Sequence, residues 1–104
     1  MAIVVIMTIP YVERLLMNLS KAIEKSFPKI EKLFSQEWLS EFCQTPYVNL
    51  EKYNFDPGTM IRLKLLRHRS YLRKAFIQSG YVDTDEMAMK VIRQFHQHRS
   101  EERL

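Results

Sequence analysis

The sequence predicts a single all-α domain, and three observations lead to this fold class. The chain has 104 residues, 46% of them hydrophobic and 12% aromatic, which is enough apolar material for one core. Glycine and proline, which sheet-rich folds use freely at turns, number only two and four. Apolar residues recur at helical spacing through most of the chain. We therefore predict four to five helices in one small bundle-like domain that spans residues 1–104.

The first eight residues are predicted to form a short apolar arm. Ile3, Val4, Val5 and Ile6 are β-branched and show no helical period, which favours an extended conformation. A lone strand leaves its edge unpaired, so we expect these four residues to contact a second copy of the chain in a homodimer. The alternative is that this arm is part of a helix.

The same N-terminal stretch bears on location and on the start of the chain. Met7 is a second possible start, because Thr8 followed by Pro10 is typical of a helix beginning. The apolar run is shorter than the roughly 20 residues that cross a bilayer, and it lacks the features of a signal peptide. We therefore expect a cytoplasmic protein with no integral membrane association.

The first long helix is predicted from an apolar stripe with spacings of three and four residues. The stripe consists of Ile9, Val12, Leu16, Leu19, Ile23, Phe27, Ile30 and Phe34. Pro28 removes one helical N–H within it, so the segment forms either one kinked helix or two helices with Ser26 as a cap. A break or a sharp kink is the preferred interpretation.

A second helix is expected after Ser35, a good N-cap residue, with Trp38, Leu39, Phe42 and Cys43 facing inward. Residues 45–56 follow as an irregular loop, because prolines and asparagines interrupt any period. The aromatic residues of this loop are expected to pack onto the helices. They are Tyr47, Tyr53 and Phe55.

Two more helices complete the predicted domain. Residues 57–79 are expected to form one helix, with Asp56 as N-cap, Pro57 at its first position and Gly80 just after its end. The last helix is predicted to begin after Asp83, with Glu86 three positions on as in a capping box. Its inward face is expected to contain Ala88, Val91, Ile92 and Phe95.

The candidate site is the basic stretch of residues 62–74, which contains six Arg or Lys and no acid. The whole excess of positive charge lies in the second half of the chain, since residues 57–104 carry 10 basic against 5 acidic side chains. On one continuous helix, Arg62, Arg69 and Arg73 would form a row between two apolar groups. The predicted partner-binding residues are Arg62, Lys64, Arg67, Arg69, Arg73 and Lys74. Secondary contacts are predicted at Lys90, Arg93 and Gln97.

The basic stretch supports several functional hypotheses. The first is a non-enzymatic regulatory or adaptor protein that binds an acidic partner protein through the basic helix. The alternative is nucleic-acid binding by the same helix and the exposed face of the last helix, an arrangement that invites comparison with a helix-turn-helix. Peripheral attachment to an anionic membrane is a third hypothesis. The cations could also be satisfied by solvent or by acids elsewhere in the fold.

Signatures of catalysis and of cofactor binding are absent from the sequence. Two glycines cannot build a phosphate-binding loop, and His96 and His98 would point to opposite sides of a helix. Cys43 is the only cysteine, which excludes an intramolecular disulfide and a paired-cysteine metal site. We therefore predict a protein that is not an enzyme and that has no cofactor and no metal.

Overall fold

The computed structural model describes the backbone of residues 2–102 and the side chains of residues 18–101. This part of the chain contains five α-helices and one 3₁₀ helix, and no strand. In chain order they are α1 (Ala2–Leu33), α2 (Gln36–Gln44), the 3₁₀ helix (Tyr47–Asn54), α3 (Gly58–Lys64), α4 (Tyr71–Gln78) and α5 (Thr84–Glu102). The all-α prediction is confirmed, although the number of helices is six rather than four or five.

Helix α1 is longer and more regular than the sequence indicates. Its backbone is helical from Ala2, so the prediction of an extended arm over residues 1–8 is wrong where the backbone is described. The helix also runs unbroken past Pro28 to Leu33, which corrects the expected break. The lost N–H at Pro28 is tolerated because the apolar stripe on both sides of it packs into the same core. The dimer contact predicted at Ile3, Val4, Val5 and Ile6 lies outside the described side chains.

Helix α2 begins as expected, since the Ser35 hydroxyl accepts a hydrogen bond from the Trp38 N–H at 3.1 Å. Leu39 and Phe42 are fully buried, whereas Trp38 and Cys43 are half-buried. The predicted irregular loop of residues 45–56 is wrong in its centre, because most of it forms the 3₁₀ helix. Tyr53 is buried there as expected, whereas Tyr47 and Phe55, also expected to pack onto the helices, are exposed.

The predicted helix of residues 57–79 is two helices. Helix α3 begins at Gly58, not after an Asp56 cap, and the chain leaves helical geometry at residues 65–70 before α4 begins. Ser70 caps α4 by accepting a hydrogen bond from the Arg73 N–H at 3.1 Å. The break has a packing cause, because Leu65, Leu66, Leu72 and Phe76 are all buried. A single straight helix would have pointed Leu66 about 100° away from the others.

The end of α4 and the start of α5 match their predictions. Gly80 has φ of 95°, and the Tyr81 N–H donates to the Phe76 carbonyl at 3.0 Å. With the Gly80 N–H bonded to Ile77 O at 3.0 Å, this is a Schellman motif. Asp83 caps α5, since its carboxylate accepts a hydrogen bond from the Asp85 N–H at 2.8 Å.

Every helix contributes buried side chains to the core. Helix α1 packs against α4 and α5, and the 3₁₀ helix packs against α5 and α3. Phe42 lies at an aromatic junction, with ring centroids 5.1 Å from Trp38, 5.1 Å from Tyr53 and 5.8 Å from Phe95. The four residues predicted to face inward from α5 are all buried. They are Ala88, Val91, Ile92 and Phe95.

Candidate functional site

Arg62, the first residue of the predicted arginine row, is part of the fold's internal structure. Its guanidinium donates to the Asn54 carbonyl at 3.1 Å and to the Thr59 hydroxyl at 3.0 Å, and it pairs with the Asp85 carboxylate at 3.1 Å. Gly58 permits this approach, because a Cβ there would lie 3.2 Å from the Arg62 Nη1. Arg62 therefore ties the 3₁₀ helix to the start of α5.

Arg73 is directed back onto the chain as well. Its Nη1 donates to the Leu66 carbonyl at 3.3 Å, in the connection between α3 and α4. Its Nε is buried and has no hydrogen-bond partner among the described residues. The break at residues 65–70 also destroys the geometry on which the row depended, since Arg62 and Arg73 now belong to different helices. The predicted continuous arginine row is therefore wrong.

The other four predicted cations lie at the surface. Arg67 is exposed and donates from Nε to the Leu63 carbonyl at 3.2 Å. Lys64, Arg69 and Lys74 are also exposed. Large apolar side chains accompany them, because Leu63 and Tyr71 are each 62% exposed and Ile77 is 53% exposed. The exposed side chains of the α3–α4 segment are therefore both basic and apolar.

One of these cations belongs to a cleft that the sequence did not indicate. The cleft lies between α1 and the α3–α4 segment and encloses about 140 Å³. Lys25, Lys29 and Lys64 line it, together with Tyr71 and the α4 cap residue Ser70. Lys25 Nζ lies 5.6 Å from the centre of the Tyr71 ring. No carboxylate is among the described residues that line this cleft, which we call the lysine cleft.

The predicted secondary contacts lie elsewhere on the molecule. Lys90 and Arg93 are half-buried and line a cavity of about 540 Å³ that α5 shares with the 3₁₀ helix. Gln97 is exposed, and its amide donates to the Glu101 carboxylate at 3.4 Å. Lys90 and Arg93 share the cavity with the carboxylates of Glu51 and Glu86, so they do not form a purely basic surface.

The sequence did not predict two of the lysines that line the lysine cleft, and it predicted only Lys90 and Arg93 among the residues that line the cavity. Lys25 and Lys29 were not among the predicted site residues, although their spacing of four places them one turn apart on one side of α1. This pair could have indicated a basic site, because no acid lies four residues before or after either lysine to neutralise its charge. Nothing in the sequence indicated that Phe55, expected to pack inward, would be 78% exposed at the cavity.

The thiol of Cys43 has a cationic neighbour. Hydrogen bonding to the Cys43 sulfur is the largest cause that raises the pKa of Arg99 above its ordinary value, and Glu31 adds to it. Arg99 pairs with Glu31 at 3.1 Å, which links α5 to α1.

Among the described residues, no group of three or more His, Cys, Asp or Glu side chains could hold a metal ion. Within the same part of the chain, no helix has the length and apolar character needed to cross a bilayer.

The fold and its surface define an all-helical domain with a basic cleft and a separate mixed-charge cavity. The chain belongs to the family described as Domain of unknown function (DUF6794), whose model matches residues 20–99. The matched residues include all those that line the lysine cleft and the cavity. No curated protein and no solved structure matches the chain significantly.

Proposed function

We propose that this domain is a non-enzymatic regulatory or adaptor module that binds an acidic partner protein at the lysine cleft. The observation that carries the proposal is the convergence of three lysines from α1 and α3 on one cleft lined by no described carboxylate. Like charges held together repel one another, so an anion placed among them is attracted by all three. Glutamate or aspartate side chains of a partner supply such anions.

The surroundings of the cleft favour a protein partner over a nucleic acid. Tyr71 lines the cleft and is exposed, and Leu63, which precedes Lys64 in α3, is exposed as well. An acidic amphipathic helix can cover such residues with its apolar side while its carboxylates reach the lysines. A phosphate backbone gains nothing from Leu63.

Binding to single-stranded nucleic acid remains a second candidate, and the exposed ring of Tyr71 favours it. This ring is 62% exposed and stands beside Lys25, and Lys74 lies one turn further along α4. A base could stack on the ring while the lysines contact flanking phosphates. The acids at the start of α5 argue against a DNA-reading arrangement of α4 and α5.

Fluorescence anisotropy tests the proposal with two labelled probes, an acidic amphipathic peptide and a random single-stranded oligonucleotide. The variant is Lys25→Gln with Lys29→Gln and Lys64→Gln. Its control is Lys21→Gln with Lys32→Gln and Lys52→Gln, which removes the same charge at exposed positions outside the cleft. We expect the parent and the control to bind the peptide and the cleft variant to bind it about tenfold more weakly or worse.

Three results would contradict the proposal. They are absence of peptide binding, equal loss of binding in both variants, and tighter binding of the oligonucleotide with a steep dependence on salt. The last result would establish the nucleic-acid alternative. Circular dichroism of both variants ensures that the comparison is between folded proteins.

The proposal includes two further expectations about the whole protein. One is a cytoplasmic location, and the other is a homodimer that forms through the apolar residues Ile3, Val4, Val5 and Ile6. Sedimentation of the parent beside an Ile3→Asp and Ile6→Asp variant tests the dimer. A parent that sediments as a monomer would remove this part of the proposal.

A further inference from the structure

An open cavity lies apart from the lysine cleft and has a different chemistry. It measures about 540 Å³, within the range of roughly 300–1,000 Å³ that is usual for small-ligand sites. Met89 and Tyr81 provide apolar surface, and the exposed ring of Phe55 lies at its edge. The cavity can therefore cover the apolar body of a ligand.

The charges of this cavity are balanced. Asp85 is already paired with Arg62 at 3.1 Å, so its carboxylate is largely neutralised. Glu51 and Glu86 then face Lys90 and Arg93, two acids against two bases. No ion pair joins these four side chains to one another in the described part of the chain. A ligand that complements them carries both a positive and a negative group, whereas the lysine cleft selects an anion.

Glu86 and Arg93 are separated along α5, and Lys90 lies between them, one turn after Glu86. Glu86 lies in the first turn of the helix, and Arg93 follows seven residues later, a distance of about 10 Å along the helix axis. Met89 lies between them on the same side. An extended chain advances about 3.5 Å per residue, so three residues span a comparable distance. The separation therefore matches the two termini of a tripeptide.

We infer that this cavity is a binding site for a short free peptide of about three residues with apolar side chains. The peptide's ammonium group lies toward Glu86, and its carboxylate accepts hydrogen bonds from Arg93. Charge-assisted hydrogen bonds at both ends fix its direction, and Met89, Tyr81 and Phe55 cover its side chains. This site is independent of the lysine cleft.

Nuclear magnetic resonance tests the inference with the ¹⁵N-labelled full chain and the tripeptide Leu-Gly-Leu. We expect amide shifts at Tyr81, Met89 and Phe55 that saturate at millimolar peptide. The matched probe is the same tripeptide with an acetylated N-terminus and an amidated C-terminus. Because it keeps the apolar groups but loses both charges, it is expected to bind about tenfold more weakly.

Variants assign the binding to the cavity. Lys90→Gln with Arg93→Gln is expected to weaken tripeptide binding about fivefold or more, and Glu86→Gln to weaken it in the same direction. Lys64→Gln, in the lysine cleft, is expected to leave it unchanged. The amide spectrum itself reports whether each variant is folded.

The inference is overturned by any of three results: no saturable shifts, shifts located away from the cavity, or equal binding of the capped and the free tripeptide. Failure here is distinguishable from failure of the proposed function, because the acidic-peptide assay depends on Lys25, Lys29 and Lys64. The cavity variant is expected to bind the acidic peptide as the parent does.

Discussion

At the scale of single residues, the same side-chain type has two different roles on this surface. Arg62 and Arg73 donate hydrogen bonds to backbone carbonyls of the chain itself, whereas Arg69, also part of the predicted row, is exposed. The difference arises because the first two lie where chain segments meet, next to carbonyls that helical bonding leaves free. Charge alone therefore did not distinguish a structural arginine from one available to a partner.

Replacing Arg62 with alanine is expected to destabilise the fold. The change removes the hydrogen bonds to the Asn54 carbonyl and the Thr59 hydroxyl, and it leaves the part-buried Asn54 carbonyl without this donor. Asp85 is 60% exposed, so its ion pair with Arg62 contributes little. We expect the free energy of unfolding to fall by about 1–2 kcal/mol in urea titrations followed by circular dichroism.

The matched control is Arg69→Ala, which removes the same side chain from an exposed position. Its effect is expected to stay within about 0.5 kcal/mol. Equal loss of stability in the two variants would contradict the structural role of Arg62.

At the scale of elements, the boundaries that depend on local chemistry are the ones that sequence could predict. Ser35, Asp83 and Gly80 each mark a helix end through a short-range hydrogen bond or a left-handed backbone conformation. The break between α3 and α4 depends instead on four buried apolar residues reaching one core. Ser70 supplies the cap for α4, but a serine within a basic run does not by itself indicate a helix start.

Gly80→Ala tests the Schellman motif that ends α4. A Cβ at this position meets nothing within 4 Å, so the whole cost comes from the φ of 95°. Left-handed geometry disfavours a residue with a Cβ by about 1–2 kcal/mol, and we expect thermal or urea unfolding to show a loss of this size.

Gln78→Ala, two residues earlier at an exposed position at the end of α4, is the control. It is expected to leave stability within about 0.5 kcal/mol of the parent, because alanine favours a helix and the glutamine is exposed. A stable Gly80→Ala variant would mean that α4 ends in another way in solution.

At the scale of the whole molecule, one aromatic junction connects elements distant in sequence. Phe42 of α2 contacts Tyr53 of the 3₁₀ helix and Phe95 of α5. Nearby, the buried His96 ring bonds through Nε2 to the Thr45 carbonyl at 2.8 Å, and Thr45 Oγ1 lies 2.8 Å from the Tyr53 hydroxyl. These contacts hold the 3₁₀ helix against α5, which forms the cavity between them.

Phe42→Ala is expected to reduce the free energy of unfolding by about 3–5 kcal/mol, because the side chain is fully buried and its removal leaves a cavity. Phe55→Ala removes the same group from a site that is 78% exposed and is expected to change stability little. Chemical denaturation of the two variants checks the pair. Similar losses in both would show that Phe55 is buried in solution.

The sequence by itself determined the fold class, the capped helix ends and the inward face of α5, together with the excess of cations after residue 56. These features depend on composition, on helical period and on interactions within a few residues. It could not determine that α1 continues past Pro28, because packing on both sides of the proline compensates for one lost hydrogen bond.

Only the tertiary structure decided which cations are available and what they face. Lys25 and Lys29 meet Lys64 in one cleft because α1 packs against the α3–α4 segment. A single sequence does not indicate that residues about 40 positions apart will be neighbours in the fold. Arg62 is withdrawn from the surface for the same reason, since its partners Asn54 and Asp85 come from other elements. Long-range packing, not local pattern, selects the candidate binding sites.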